Sequence, residues 1–316
     1  MDGLVIIDKP AGKTSHDVVA EVKRVLKAEK VGHTGTLDPL ATGVLPIMIN
    51  EGTKLSPFLV HDTKEYRVTV RFGITTDTLD ITGNILEKRD INIAPEEVRG
   101  AIDGLRGVRQ QVPPRYSAVK FQGKPLYSWA RRGVPVTPVS RTVEIFDVHV
   151  DAVDMPEATF SVTCSKGTYI RSLCADIGEV LGCGAALAVL RRTRSGSFCI
   201  ADALALEGLG PEEKKDRLTA ALIPPEEALA GLKTVSVDEA LAKKLRDGYQ
   251  VVGSDLAGDH IPFLDQGDMV RFVCGRTGLV AVVEMLSNSG DFASMDKTVK
   301  VARTLRVFHP QHQDIE

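Results

Sequence analysis

The hydrophobic positions of this chain change period several times, and each change marks an element. Leu4 to Ile7 is an unbroken apolar run closed by Asp8-Lys9-Pro10-Ala11-Gly12, which reads as a strand followed by a turn. Thr14 and Ser15 are helix-capping residues. Val18, Val22, Val25 and Leu26 then recur at helical spacing, predicting a helix down to about Glu29 with Glu21, Lys23, Arg24 and Lys27 on its polar face. From Val31 to Gly43 three glycines and one proline argue against regular structure, so a loop is expected to lead into an apolar strand over Val44 to Ile49. Lys64 to Phe72 alternates cleanly, with Tyr66, Val68, Val70 and Phe72 on one face and Arg67, Thr69 and Arg71 on the other, the pattern of a half-buried strand.

Two further strands are expected, Arg141 to Val150 and Ala158 to Cys164, the second facing Phe160, Val162 and Cys164 inward. After Lys166-Gly167-Thr168 the period returns to 3.6: Ile170, Leu173, Cys174, Ile177, Val180 and Leu181 form one stripe of a helix. Strand-like Ala185 to Leu190 and Phe198 to Ile200 follow. Strands interleaved with few helices, without regular β-α-β alternation, predict an α+β fold around a mixed, mostly antiparallel sheet. Gln111 to Pro138 is rich in Pro, Gly, Lys and Arg and is expected to form a long, mobile, basic excursion from that sheet, able to close over a substrate.

From Asp202 to about Leu232 acidic and helical residues bridge to a second, strand-rich unit. Its first helix opens on Ser236-Val237-Asp238-Glu239, a capping-box pattern, and closes at Asp247-Gly248. Strands are expected over Met269 to Val273, Leu279 to Met285 and Val299 to Phe308, with a frayed end from Gln311 to Glu316. The expected division is residues 1–231 and 232–310, and the 316-residue length suits two cores.

Composition narrows the class. An apolar fraction of 43% and a charged fraction of 26% describe a soluble globular protein. The N-terminus has no basic leader and no apolar run approaches membrane-spanning length, so a cytoplasmic location is expected. The five cysteines are odd in number and contain no C-x-x-C pair, which predicts reduced, mostly buried thiols and neither a disulfide framework nor a zinc site. A net charge of -3 does not by itself suggest a polyanionic partner. That case rests on local clusters: Arg131 with Arg132; Arg191 with Arg192 and Arg194; and Lys297, Lys300, Arg303 and Arg306. Each cluster alone is more often a solvated face.

The loop from Gly32 to Gly43 offers the most chemistry, because glycines admit close approach of a ligand while His33, Thr34, Thr36 and Asp38 supply polar groups. Taken alone, Asp38-Pro39 is a turn starter. Gly32 to Gly35 also fits the short GXXG of KH-type RNA clamps, and the loop lacks the spacing of a phosphate-cradling P-loop. The full string GHTGTLDPLATGVLPI, residues 32 to 47, closely resembles the catalytic motif of the bacterial tRNA pseudouridine-55 synthases, the TruB family. Further segments resemble the same family in the same order: GLVIIDKPAGKTSHDVV at the start, EGTKL at 51 to 55, KEYRV at 64 to 68 and TDTLDITG at 76 to 83. QVPPRYSAVKFQGKPLY at 111 to 127, SKGTYIRSL at 165 to 173 and LRRTRSG at 190 to 196 continue the series. The second unit is similar in size and strand content to the PUA domains of bacterial members. Thr36, where several members carry alanine, and Arg115, where methionine is frequent, are mild departures.

The resemblance implies that Asp38 is the essential carboxylate, attacking either the uracil ring or the ribose anomeric carbon. Arg171 matches the arginine that pairs with it. That cation is expected in the first turn of a helix, where the dipole disfavours it, so a compensating anion is expected nearby. Arg171 should favour the ionised form of Asp38. Tyr66 matches the active-site tyrosine that stacks on the base, and Leu190 the apolar wall of the uracil pocket; either could equally be core. His33 matches the histidine that fills the place of the extruded base, while Tyr169 and Lys54 sit at family positions near the site, Lys54 toward the RNA backbone. The implied partner is tRNA, gripped at its T arm by a monomer without metal, organic cofactor or membrane. Two rivals stand beside this reading. A non-catalytic tRNA-binding or tRNA-folding protein would not need Asp38, and a glycosidase would need a second carboxylate; Asp77 and Asp80 have no spacing that pairs them with Asp38.

Overall fold

The protein is described from a computed structural model covering residues 1–59, 63–256, 261–275, 277–292, 294–296 and 298–309. Lys297 of the basic series and the expected frayed end, 311–316, lie outside the described residues.

In chain order the elements begin with β1 (Gly3–Lys9), α1 (Ser15–Leu26), β2 (Val31–His33), β3 (Thr42–Ile49), α2 (Ser56–Leu59) and β4 (Lys64–Phe72). They continue with β5 (Ile74–Thr76), β6 (Ile85–Lys88), α3 (Pro95–Asp103), β7 (Gly107–Gln111), β8 (Lys120–Phe121), β9 (Lys124–Pro125) and α4 (Leu126–Ala130). Next come β10 (Arg141–Asp154), β11 (Glu157–Cys164), α5 (Ile170–Val180), β12 (Ala185–Ser195), β13 (Phe198–Cys199), α6 (Pro211–Ala220) and α7 (Pro225–Ala228). The chain ends with β14 (Lys233–Ser236), α8 (Glu239–Arg246), β15 (Met269–Cys274), β16 (Gly278–Met285) and β17 (Ala302–Val307).

The large sheet runs β1-β3-β12-β4-β11-β10-β7, with β2 beside β3 and β13 beside β12. Its neighbours are antiparallel except β3 and β12, which run parallel where Thr42 faces Arg191 and Gly43 faces Arg192. The fold is therefore α+β with a mixed, mostly antiparallel sheet, as expected. Tyr66, Val68, Val70 and Phe72 of β4 are all buried on one face. They share a core with Val18 and Val22 of α1, Val98 and Ile102 of α3, and Leu173, Cys174 and Ile177 of α5. Each such aliphatic or Phe side chain contributes about 1.5–3 kcal/mol on burial.

The unbroken apolar runs in β1 and β3 have a different cause. Val5, Ile7, Leu45 and Ile47 join the helix-side core, whereas Leu4, Ile6, Val44 and Met48 pack on the other face with Leu279, Val282 and Phe308. Those partners belong to or flank the second sheet, ordered β14-β15-β16-β17. Both faces of β1 and β3 are thus buried, and alternation disappears.

Local boundaries follow local chemistry. Thr14 caps α1 by accepting from Asp17 N, and the Asp17 carboxylate accepts from Thr14 N in return. The helix stops at Leu26 because Lys27 turns left-handed at φ 50°, three residues before the expected end at Glu29. The cap of α8 is Asp238, which accepts from Leu241 N; Ser236, the expected cap, ends β14. Helix α3 and the β5–β6 hairpin were not signalled by periodicity. Strand β12 runs on to Ser195, past the last apolar residue expected in it, because the polar stretch Arg191 to Ser195 still pairs with β4. The segment 111–138 carries its own small structure: Phe121 and Trp129 meet edge to face with ring centres 6.1 Å apart, and Lys124 lies 5.8 Å over Trp129.

Candidate active site

Asp38 sits on a turn that the fold holds from several sides. The buried Ser15 hydroxyl donates to Leu37 O at 3.1 Å and accepts from Leu37 N at 2.8 Å, so the residue before Asp38 is fixed to the start of α1. Ala41 N closes the turn on Asp38 O at 3.0 Å, and Gly12 N donates to Pro39 O at 2.8 Å. Gly43 explains the end of the loop. At φ 101°, a Cβ there would lie 2.2 Å from Arg192 O, so the backbones of β3 and β12 can meet only at glycine. The glycine-rich loop is thus partly a packing device. Likewise Gly32 lies in β2, paired with Met48, rather than in a free GXXG clamp.

Arg171, in the first turn of α5 and nearly fully buried, approaches from the opposite side. Its Nε lies 2.8 Å from Asp38 Oδ2 and 4.0 Å from Asp80 Oδ2. Its other nitrogens donate to Thr78 O at 2.8 Å and Tyr116 O at 2.7 Å. The expected compensating anion is therefore present, and there are two. Gln111 fixes the helix start by accepting from Tyr169 N at 2.7 Å and donating to Tyr169 O at 3.0 Å; Ser172 Oγ donates to Val112 O at 3.2 Å. These contacts tie the root of the 111–138 excursion to the helix that carries Arg171.

Asp80 is a site residue that spacing along the sequence does not reveal. Its Oδ1 accepts from Thr78 Oγ1, Thr82 N and Thr82 Oγ1 at 2.9, 2.9 and 2.6 Å, leaving Oδ2 toward Arg171. The tertiary fold alone brings TDTLDITG against Asp38. Its signal in sequence is the pair of threonines flanking the carboxylate, a pattern able to hold it in one orientation.

Electrostatics at the site run against the simplest expectation. Burial pushes the Asp38 carboxyl above the usual carboxylate range; Arg171 pulls it back and Asp80 adds to the rise, so the net direction is upward. Arg171 does favour the ionised form, yet desolvation outweighs it. Burial also raises the Tyr66 phenol, partly offset by the nearby Arg192 guanidinium. His33 is lowered by burial, then by Arg192 and His16, which keeps its imidazole neutral at pH 7. Lys9, fully buried, is lowered to about 8 by desolvation, with Asp38 opposing. Its Nζ donates to the carbonyls of Lys13 at 2.6 Å, Pro10 at 2.7 Å and Pro39 at 3.4 Å, bracing the Asp38 turn from below.

Asp38, Tyr66, Tyr169, Arg171 and Leu190 line one cleft of about 690 Å³. His33 lines an adjoining cleft that also reaches Asp38 and Arg171, together with His16, Tyr127 and Arg131. Arg141 lies 5.8 Å over the Tyr169 ring. Lys54 is placed elsewhere: its Nζ donates to Glu51 at 2.7 Å and to Val307 O at 2.9 Å, at the seam with the second sheet. The Arg191-Arg192-Arg194 cluster is not one basic stripe. Arg191 pairs with Asp8 at 2.7 Å and Arg194 with Glu65 at 3.0 Å, while Arg192 turns into the cleft. There it is 2% exposed and donates to Val44 O at 2.7 Å and Gly35 O at 3.1 Å. Strand alternation separates Arg192 from Arg191, and the break in register between Arg192 and Arg194 turns Arg194 away as well.

Of the five cysteines, Cys164, Cys174, Cys183 and Cys274 are buried and Cys199 is half-buried, all as free thiols. Among the described residues no three His, Cys, Asp or Glu side chains are grouped to hold a metal ion, and no helix is long and apolar enough to cross a membrane.

Comparison with known proteins places this geometry. Residues 23–170 match the TruB family pseudouridylate synthase N-terminal domain, and residues 171–230 match the tRNA pseudouridylate synthase B C-terminal domain. The chain is 48% identical over 309 residues to the tRNA pseudouridine synthase B of Syntrophus aciditrophicus, covering 98% of this chain and 99% of the relative. It is 42% identical over 313 residues to that of Geobacter sulfurreducens, covering 98% and 100%. Among solved structures it resembles a Cbf5-Nop10-Gar1 complex chain, with TM-score 0.70, 27% identity, and 98% of this chain and 85% of the other covered. It also resembles a chain of an H/ACA RNP bound to a substrate RNA containing 2'-deoxyuridine, with TM-score 0.71, 25% identity, and 98% and 86% covered. On near-full-length identity to these relatives, with Asp38, Arg171, Tyr66 and Leu190 gathered in one cleft, the chain belongs to the TruB family of pseudouridylate synthases.

Proposed function

We propose that this enzyme converts uridine 55 in the T loop of tRNA to pseudouridine, with Asp38 as the nucleophile. The observation that carries the reading is the buried Arg171 guanidinium 2.8 Å from a half-buried Asp38, on the wall of a cleft that also presents Tyr66 and Leu190. Arg171 and Lys9 supply the positive surroundings that an attacking carboxylate needs, countering the burial that favours its neutral form. Asp38 bonds to the ribose anomeric carbon or to the uracil ring as the bond from N1 to the ribose breaks. The detached base turns within the closed cleft, C5 joins the sugar, the Asp38 carboxylate is released, and the proton lost from C5 to water is matched by one taken up at N1. Leu190 bounds the base on one side and the Tyr66 ring contacts its face. Tyr169, held at the start of α5, completes the wall.

A uridine in a folded loop must be extruded to reach Asp38, at a cost of a few kcal/mol. The adjoining cleft suits the vacated stack, because His33 there is neutral and can take the place of a base without burying a charge. The 111–138 excursion closes over the T arm, with Arg131 and Tyr127 facing the RNA. Residues 1–231 form the catalytic unit, and 232–310 a PUA-like unit that docks on the tRNA beyond the T arm. The bonds from Lys54 favour a part in holding that second unit over direct contact with the RNA backbone. The enzyme acts as a monomer in the cytoplasm. The test is position mapping: unmodified tRNA transcript incubated with the protein should acquire one pseudouridine, at position 55, and a transcript with cytidine there should acquire none. Modification at another position would overturn the assignment of the T loop.

A further inference from the structure

One polar group in the partition between the two clefts has no work to do in the fold. The Ser117 side chain is 4% exposed, lines both clefts, and its hydroxyl has no hydrogen-bond partner among the described residues. A hydroxyl removed from water and left unpaired is a net cost to the folded chain, and native proteins keep few of them. The backbone around it is held firmly. Tyr116 O accepts from Arg171 Nη2 at 2.7 Å and Ser117 O accepts from Tyr127 N at 3.1 Å, so the hydroxyl is tied through one peptide unit to the cation that holds Asp38.

We propose that Ser117 is a substrate-binding residue whose hydroxyl hydrogen-bonds a sugar–phosphate oxygen of the extruded nucleotide. The inference rests on the reading that this site accepts a flipped uridine. Position selects the atom class. The cleft with Tyr66 and Leu190 receives the base, and the cleft with His33 receives the vacated stack. The ribose and phosphates joining base to strand must therefore cross the partition, where Ser117 stands. A serine hydroxyl both donates and accepts, so the ribose 2'-hydroxyl and a phosphate oxygen are both within its chemistry.

The test uses the full-length protein and T-arm stem-loop RNAs. Wild type and Ser117→Ala are compared on unmodified RNA, on RNA with a single 2'-deoxyuridine at the target, and on RNA with a methylphosphonate beside it. Ser117→Ala should weaken RNA binding and kcat/KM by roughly tenfold on unmodified RNA, the worth of one hydrogen bond. Its melting temperature should equal or exceed that of wild type, since no internal bond is lost. The binding defect should vanish on whichever altered RNA lacks the contacted oxygen, which separates hydroxyl from phosphate. Wild-type binding by Ser117→Ala, a defect that persists on both altered RNAs, or a fall in melting temperature would overturn the proposal. If wild type makes no pseudouridine on the unmodified RNA, the functional reading fails, and this inference falls with it.

Discussion

The Nε of Arg171 lies 2.8 Å from Oδ2 of Asp38 while the rest of the guanidinium is held by Thr78 O and Tyr116 O. Asp38, the proposed nucleophile, is thus aligned by a cation that is itself held by two other parts of the chain. Arg171→Lys keeps the charge but replaces a planar fork by one ammonium that cannot reach all three partners. We expect kcat to fall on the order of a hundredfold or more, with about 1–3 kcal/mol of stability lost from unpaired buried carbonyls. Steady-state kinetics and urea denaturation would measure both. A variant with wild-type kcat would show that alignment by the fork is unnecessary.

Asp38 carries a stability cost that pH should expose. Its carboxyl titrates above its ordinary 3.8 in the fold. Through the interval between 3.8 and that raised value the folded chain holds a proton that the unfolded chain has released. Stability therefore falls as pH rises through the interval and stays lower above it. Asp38→Asn removes the titrating carboxyl, so the melting temperature of wild type relative to the variant should fall as pH rises from 3.8 through the interval and hold level above it. A wild type that gains stability relative to the variant as pH rises through the interval would contradict the sign.

Much of this was legible in the sequence, for identifiable reasons. The alternation in Lys64–Phe72 and the stripe of Ile170, Leu173, Cys174 and Ile177 marked both elements, although Val180, expected in the same stripe, is 77% exposed at the end of α5. Arg171 was picked out by its match to the family arginine, and its place in the first turn of α5 added the expectation of a nearby anion. What did not show is what depends on distant contacts. Asp80 joins the site only through the folding of Thr76 to Thr82 against β12, and Arg192 leaves its basic neighbours because alternation turns it away from Arg191 and a break in register turns Arg194 away from it. The net rise at Asp38 is likewise tertiary, set by how many elements close over the carboxylate. Lys54, near in sequence to the site motifs, faces the second sheet.

Asp80 should tune Asp38 through charge. Asp80→Asn removes a like charge that raises the Asp38 carboxyl, so the acid limb of the pH–rate profile should move to lower pH. An amide toward Arg171 in place of Oδ2 should also loosen the guanidinium and lower the plateau kcat by on the order of tenfold. An unmoved acid limb would mean that Asp38 does not sense Asp80.

Gly43→Ala tests the packing reading of the glycine-rich loop. Its Cβ would stand 2.2 Å from Arg192 O at a positive φ. The parallel pairing of β3 and β12 should be broken and stability lowered by about 3 kcal/mol or more, with activity lost in proportion to the unfolded fraction. Circular dichroism melts would measure it. A stable but inactive variant would instead assign Gly43 to ligand approach.

The nucleophilic role of Asp38 is tested most directly by tritium release from tRNA labelled at uracil C5, comparing wild type with Asp38→Asn. Formation of the new carbon–carbon bond expels the label, so wild type should release it to water in step with pseudouridine formation. Asp38→Asn should release none while binding tRNA within a few fold of wild type. Release by both proteins would contradict the role of Asp38.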